Sequence, residues 1–289
     1  MKNTQQFDYL VEKASHLIEA LPYVRQFYGK TIVIKCGGAA MTDSEETHSM
    51  LQDIALLYFC GIRPVIVHGG GSEISDMCQR LNLKVDFFNG QRVTDLQTLE
   101  VVQMVLSGKI NKGIVSKLNQ FGIKAVGVSG HDGNFLQADK FSSELGYVGK
   151  VSHIDTALMY TLLDNAFIPV IAPLGTDKMG QTYNINADFA ASAIASSLNA
   201  EKLIIMSDVH GLYADIHDPA SKITTLSSET ARDLLQKKQI SGGMIPKLEA
   251  CLEAVEKNVG AAHIINGKLT HSVLLEMLTD QGVGTMIRR

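Results

Sequence analysis

Apolar residues recur along this chain in two rhythms. Phe7, Leu10, Val11, Ala14, Leu17, Ile18 and Leu21 fall three and four apart, one stripe of an amphipathic helix that Pro22 is expected to end. That helix is expected either to pack on its own core or to serve as an arm against another subunit. From residue 31 onward, short and nearly continuous β-rich runs alternate with helical patterns. The predicted strands are 31–35, 64–68, 125–129, 168–172, 202–206 and 262–265. The predicted helices cover 45–60, 73–81, 97–120, 153–165, 187–199, 228–236 and 247–259. Strands that are apolar on both faces, separated by helices, predict an α/β fold with a mostly parallel sheet covered on both sides. The polar, glycine-containing stretch 175–182 is the best internal boundary.

Composition narrows the function classes. The chain has 289 residues, 45% hydrophobic and 19% charged, with a net charge of −4. No Lys/Arg-rich cluster occurs, so a nucleic-acid partner is not expected. No apolar stretch reaches the roughly 20 residues of a membrane-spanning helix, so no membrane partner is expected either. Met1–Gln6 lacks a signal-peptide layout, and the expected location is the cytoplasm. Cys36, Cys60, Cys78 and Cys251 are widely spaced and form no Cys-x-x-Cys. They read as small buried hydrophobes, with a reactive thiol at Cys36, beside Lys35, as the alternative. No metal-ligand spacing is present.

The candidate chemistry lies at strand ends. Lys35 closes the first strand and opens the pair Gly37-Gly38, and Lys247 follows Gly242 and Gly243. Each sets a positive charge beside backbone that a ligand can approach closely. The run Val67-His68-Gly69-Gly70-Gly71-Ser72 takes a strand through three glycines into a helix, an arrangement that offers backbone N–H groups to an anion. It is neither a Walker P-loop nor a Gly-x-Gly-x-x-Gly fingerprint, which argues against a Rossmann oxidoreductase. Arg92 offers a fork for a carboxylate, whereas an arginine alone in a polar loop is more commonly just solvated. Asn184, Asn186 and Asp188 precede a small-residue helix; capping accounts for one of them, and ligand contact or the holding of lysines for the others. Asp208 follows a strand, where open sheets bind ligands, and reads equally as a ligand contact or as a turn residue. His68 reads either as a general base or, more commonly for such a position, as a strand-end histidine bonded to backbone.

These motifs together resemble the amino acid kinase family. The matching residues are Lys35-Cys36-Gly37-Gly38-Ala39-Ala40-Met41, His68-Gly69-Gly70-Gly71, Asn89 to Asp95, Gly127-Val128-Ser129-Gly130 and Asn184 to Asp188. Further matches are Ser207 to Gly211, Gly242 to Lys247 and Gly282 to Ile287, in family order over residues 30–289. Ser72 and His131 stand where the family often has proline and lysine.

The resemblance implies a three-layer αβα sandwich around the sheet, with the N-terminal helix an addition to it. It implies an arm over 1–24, a lobe over 25–176 for acyl-substrate binding and dimerisation, and a nucleotide-binding lobe over 177–289. It implies ATP-dependent phosphorylation of the side-chain carboxylate of N-acetyl-L-glutamate, in arginine biosynthesis, with Mg²⁺ held mainly by the nucleotide phosphates. Lys35 and Lys247 would stabilise the phosphoryl group, and Asp188 would orient them. Gly70, Gly71, Arg92 and Asn184 would bind the acyl substrate. Gly37, Gly38, Ser207, Asp208, Val209, His210, Gly211, Leu212, Ile240 and Lys247 would hold the nucleotide. A dimer, or a hexamer through the N-terminal helix, inhibition by arginine near His263, Glu276 and Gly282, and a PII-type partner are further implications. For Glu276 a solvated helix face is the competing reading. The alternatives are a kinase for acetylaminoadipate or aspartate and a non-catalytic subunit that binds arginine or PII.

Overall fold

The computed structural model describes residues 2–37, 44–88, 90–215 and 218–289. Gly38, the adjoining Ala39 to Met41 and Asn89 therefore lie outside the described residues. Eight strands form the main sheet: β1 Thr31–Cys36, β2 Arg63–His68, β3 Ala125–Ser129, β4 Ile168–Ala172, β5 Lys202–Ser207, β6 Thr225–Ser227, β7 Ala261–Asn266 and β8 Thr285–Arg288. Their spatial order is β6-β8-β7-β5-β1-β2-β4-β3. The pairs from β7 through β3 are all parallel, whereas β8 runs antiparallel to β7 and takes β6 with it. All six predicted strands are present.

Strand alternation builds the layers. On β1, Ile32, Ile34 and Cys36 join one apolar core, while Val33 joins another. On β5, Ile204 and Met206 face the first core and Leu203 and Ile205 the second. Side chains on a strand point alternately to opposite faces, so every central strand feeds two cores and must be covered by helices on both sides. The second core holds the helix Ala187–Ser197, through Ala190, Ala191 and Ile194, and the helix Met244–Glu256, through Leu248 and Cys251. Lys35 shares the face of Val33, two positions earlier on β1. The same alternation that builds the core thus turns Lys35 toward those two helices.

Several expectations need correction. The N-terminal helix, Lys2–Phe27, runs through Pro22 rather than ending there. Phe27 is buried and Tyr23 packs against the same core, so the last turn is held by tertiary packing, and Pro22 removes one hydrogen bond without ending the helix. The 97–120 helix is interrupted by a π-helical stretch, Met104–Ile110, between Leu96–Gln103 and Asn111–Gln120. The 153–165 helix covers only Ala157–Asp164, because His153 and Ile154 pair with Gln137 and Leu136 in a strand. The last long helix begins at Met244, so Lys247 lies inside its first turn, where Pro246 has no intrahelical N–H to lose. Two main-sheet strands, β6 and β8, were not legible. Nor was a small closed barrel of Leu136–Lys140, Val148–Ile154, Leu174–Thr176 and Thr182–Ile185. The 175–182 stretch supplies strand residues to that barrel at both ends, with antiparallel pairing of Thr176 to Thr182.

No helix among the described residues is long and apolar enough to cross a membrane. One tie joins distant parts of the chain. Fully buried Asp53, on the helix Glu45–Phe59, accepts N–H groups of Val273 (3.2 Å) and Leu274 (3.4 Å) at the start of the helix Ser272–Leu278. Its other oxygen meets His271 Nδ1 at 2.6 Å. Asp53 therefore caps a helix more than two hundred residues away in sequence. Replacing it with alanine strands those donors, and Asp53→Ala is expected to lower stability by about 1–3 kcal/mol. Urea denaturation checks this, and a midpoint equal to that of the unaltered chain would refute the tie.

Candidate active site

Lys35 enters the site from near the carboxyl end of β1, in register with Val67 of β2 and Ile205 of β5. The connection from β1 goes to β2 on one side, and the chain returns to β5 on the other. β1 therefore stands at the reversal of strand order where open α/β sheets bind ligands. Asp188 is the second residue of the helix Ala187–Ser197, and the Asn186 side chain caps that helix by accepting the Asp188 N–H at 2.8 Å.

The three groups converge. Lys35 Nζ lies 2.8 Å from Asp188 Oδ1, and Lys247 Nζ lies 2.9 Å from Asp188 Oδ2. Burial alone would push the Asp188 carboxyl up. The charges of Lys35 and Lys247, with their hydrogen bonds, outweigh it and hold the group below the usual carboxylate range. Two ammonium groups against one carboxylate leave one uncompensated positive charge in a buried site. The side chain of Lys247 is 17% exposed against 8% for Lys35, so the site opens on the Lys247 side.

The glycine loop runs alongside. The Gly69 N–H donates to the Cys36 carbonyl at 3.0 Å, one residue past Lys35. Gly37 sits where an added Cβ would lie 3.2 Å from the Met206 carbonyl and 3.7 Å from Lys35 Nζ. A Cβ on Gly71 would meet nothing within 4 Å, so its backbone faces open space. Arg92 Nη2 donates to the Gly71 carbonyl (2.7 Å) and to Ser75 Oγ (2.8 Å), and the guanidinium lies 4.8 Å from the centre of the Phe87 ring. Its other amino group, Nη1, is buried and has no acceptor among the described residues. Asn184 donates to Thr94 Oγ1 at 3.2 Å. Three polar residues in 184–188 therefore do three jobs, of which capping is one. No hydrogen bond or ion pair among the described residues joins the Arg92–Gly71 group to the lysine pair.

The expected nucleotide residues group at the ends of β5 and β7. Ser207 Oγ is 3.4 Å from Asp208 Oδ1, and His210 Nε2 is 3.1 Å from Asn266 Nδ2. Gly211 has φ +123°, and an added Cβ would stand 2.5 Å from Thr285 Oγ1, so this position requires glycine. The Leu212 N–H donates to that same oxygen at 2.8 Å. Val209 is exposed, while Leu212 and Ile240 share the core beneath. A cleft of about 980 Å³ runs between the strand Val148–Ile154 and the helices Ala187–Ser197 and Met244–Glu256, passing Asn186, Gly243 and Pro246. Lys35, Asp188 and Lys247 do not line it. The uncompensated charge therefore lies apart from this cleft.

His263, Glu276 and Gly282 also meet. Glu276 is buried, which excludes a solvated helix face: Oε1 contacts His263 Nδ1 at 2.6 Å, and Oε2 accepts the Val283 (2.6 Å) and Gly284 (2.8 Å) N–H groups. His263 Nε2 is buried without a partner among the described residues. Cys36 is fully buried, and desolvation drives its thiol up to about 12, so it is no nucleophile. Sequence reading missed Thr94, Ser75, Asn266 and Thr285 as partners. Thr94 and Thr285 lie inside the matching runs 89–95 and 282–287 and Ser75 and Asn266 outside any of them, but the pairings span up to 90 residues and could not be read from the sequence.

Known proteins resemble this chain over nearly its whole length. The acetylglutamate kinase of Thermoanaerobacter pseudethanolicus is 50% identical over 289 residues, covering 99% of this chain and 97% of that protein. The solved N-acetylglutamate synthase of Neisseria gonorrhoeae, complexed with coenzyme A and N-acetyl-glutamate, superposes with a TM-score of 0.85 at 28% identity. It is matched over 96% of this chain and 63% of the synthase, so the chain spans less than two thirds of that protein. The same synthase with coenzyme A and L-arginine gives a TM-score of 0.81 at 27% identity, over 95% of this chain and 65% of the synthase. The sequence profile of the amino acid kinase family matches residues 30–266, and the chain belongs to that family.

Proposed function

We propose that this chain transfers the γ-phosphoryl group of ATP to the side-chain carboxylate of N-acetyl-L-glutamate, forming an acyl phosphate and ADP, within arginine biosynthesis. The observation that carries the reading is the buried Lys35–Asp188–Lys247 group with its one uncompensated positive charge. The 50% identity to an acetylglutamate kinase over nearly the whole chain supports the choice of substrate.

The chemistry suits the residues present. A carboxylate with a reference pKa of about 4.3 is already ionised at neutral pH, so no base has to remove a proton. One of its oxygens bonds to the γ-phosphorus as the bond from that phosphorus to the β-bridging oxygen breaks, and the electron pair leaves with ADP. The difficulty is negative charge on nucleophile, phosphoryl group and leaving group together, and positioned positive charge relieves it. Lys35 and Lys247 donate to the phosphoryl oxygens, and Asp188 keeps both ammonium groups aimed. The backbone of Gly70 and Gly71 and the Asn184 amide hold the acyl substrate, and Arg92 takes its α-carboxylate. The Ser207–Leu212 segment and Ile240 hold the nucleotide. Mg²⁺, when bound, would add charge neutralisation on the phosphates. Asp188, spent on two lysines, is not available as its ligand, and the nucleotide phosphates would be its main holders.

Two regulatory features extend the reading. L-arginine suits the His263–Glu276–Gly282 cluster, since a guanidinium would replace the Val283 and Gly284 N–H groups on Glu276. The exposed Leu17 (76%), Ile18 (67%) and Val11 (64%) of the N-terminal helix support self-association through that helix.

Turnover is expected with N-acetyl-L-glutamate, read as ADP release and as hydroxylamine-trapped acyl phosphate, and L-arginine is expected to slow it. Turnover confined to acetylaminoadipate or aspartate would overturn the substrate assignment. Lys35→Met and Lys247→Met are each expected to lower kcat by roughly 10²–10³-fold, about 3–4 kcal/mol in the barrier. Their circular dichroism should match the unaltered protein, and near-normal turnover in either variant would remove the lysines from the mechanism. Light scattering is expected to show an oligomer that shrinks when Leu17 and Ile18 are both changed to serine; a monomer in the unaltered chain refutes the association.

A further inference from the structure

Behind the glycine loop lies a buried polar pair that the mechanism above does not use. His68, at the end of β2, is fully buried, and so is Asn111, the first residue after the π-helical stretch. Asn111 Nδ2 lies 2.8 Å from the Val170 carbonyl, 3.5 Å from the Val128 carbonyl and 3.2 Å from His68 Nε2. Carbonyl oxygens only accept, so the amide group turned toward them is the NH₂ group, and it meets His68 as a donor. His68 Nε2 must then be the bare, accepting nitrogen, which leaves the proton on Nδ1. His68 Nδ1 lies 2.9 Å from the Gly69 carbonyl, an acceptor that needs that proton.

Gly127 leaves space for the amide on the far side. An added Cβ there would stand 1.8 Å from Asn111 Oδ1, so glycine makes room for the amide against β3. The imidazole is also kept neutral, since burial drives its pKa down from 6.5 to about 4. A neutral ring has one donor and one acceptor, as this chain of bonds requires.

The consequence falls on the loop. Across a trans peptide the carbonyl and the following N–H point in opposite directions. Fixing the Gly69 carbonyl on His68 turns the Gly70 N–H to the other side, where it has no acceptor among the described residues. Gly70 cannot carry a side chain that would anchor it otherwise, because a Cβ would lie 2.4 Å from Ile110 Cδ1 and 2.7 Å from Leu106 Cδ2. We propose that Asn111 is a positioning residue: it selects the Nδ1–H tautomer of His68, and His68 pins the Gly69–Gly70 peptide so that its N–H faces the acyl substrate. The last clause rests on the proposed function; the tautomer does not.

The test uses the full chain, labelled with ¹⁵N-histidine, and three variants. In the unaltered protein the His68 nitrogens are expected to give the signals of a single neutral Nδ1–H tautomer from pH 6 to 8. Asn111→Leu, similar in size but without a donor, is expected to yield a tautomer mixture and a loss of roughly a hundredfold in kcat, with the KM for ATP unchanged. His68→Asn keeps an amide donor near the Nδ1 position and is expected to retain most of kcat. His68→Leu is expected to fall as Asn111→Leu does. An unchanged tautomer in Asn111→Leu overturns the proposal whatever the substrate proves to be. Equal losses in His68→Asn and His68→Leu overturn the link from His68 to the loop, even if Asn111→Leu is too unstable to assay. Absence of any turnover on N-acetyl-L-glutamate by the unaltered chain would refute the proposed function and leave the tautomer arm readable.

Discussion

A buried carboxylate stays ionised only if positive charge or hydrogen-bond donors offset its desolvation, and Asp188 is the point at which this chain meets that requirement with charge. Taking a single ion out of water costs several kcal/mol even after relaxation. Here two ammonium groups answer one carboxylate at 2.8 and 2.9 Å. The carboxylate keeps the lysines from repelling one another and fixes where each Nζ sits. Because the count is two against one, the group retains an affinity for a further anion that no isolated ion pair would have.

That arrangement depends on the sheet. Lys35 faces the helix of Asp188 because it lies two residues from Val33, whose side chain fills the core under the same helix. A shift of one residue in the pairing of β1 would send Lys35 to the opposite core, among Ile32, Ile34 and Cys36. Register is pinned on both sides, by β2 and by β5. The loop after β2 is tied to β1 by the Gly69 N–H, and the loop after β5 to β8 by Thr285. The floor of the candidate site is continuous hydrogen-bonded sheet, and Lys35 and the glycine loop stand on its rim.

Much of this was legible from residues alone, and the reasons are local. The six parallel strands announce themselves as buried apolar runs, and the glycines at 69–71 and the lysines at 35 and 247 mark strand and helix ends. What stayed hidden depends on pairing at a distance. The strand Val148–Ile154 exists because Leu136–Lys140 lies beside it, and nothing within 148–154 distinguishes His153 and Ile154 from the start of a helix. β8 is legible only once β7 is in place, since it alone reverses direction against its neighbour. Pro22 stops a helix in isolation, yet burial of Phe27 carries this one past it. Glu276 reads from its helix as an arginine contact or as a solvated face, and its burial against His263 and two backbone N–H groups depends on segments that arrive from elsewhere.

The separation of the two lysines along the chain has a consequence for how the protein comes to be active. Lys35 lies on the first strand, and Lys247 joins it only after more than two hundred further residues have been placed. Closing so long a span costs entropy before any contact rewards it. During synthesis Lys35 and Asp188 can pair as soon as β1 and the helix Ala187–Ser197 have docked, a neutral couple with little pull on phosphate. Only the arrival of the helix Met244–Glu256, after β5 has been laid beside β1, turns that couple into a positive centre. A chain that lacks this helix therefore has no surplus charge at Asp188, and the positive centre appears late, as a property of the completed fold.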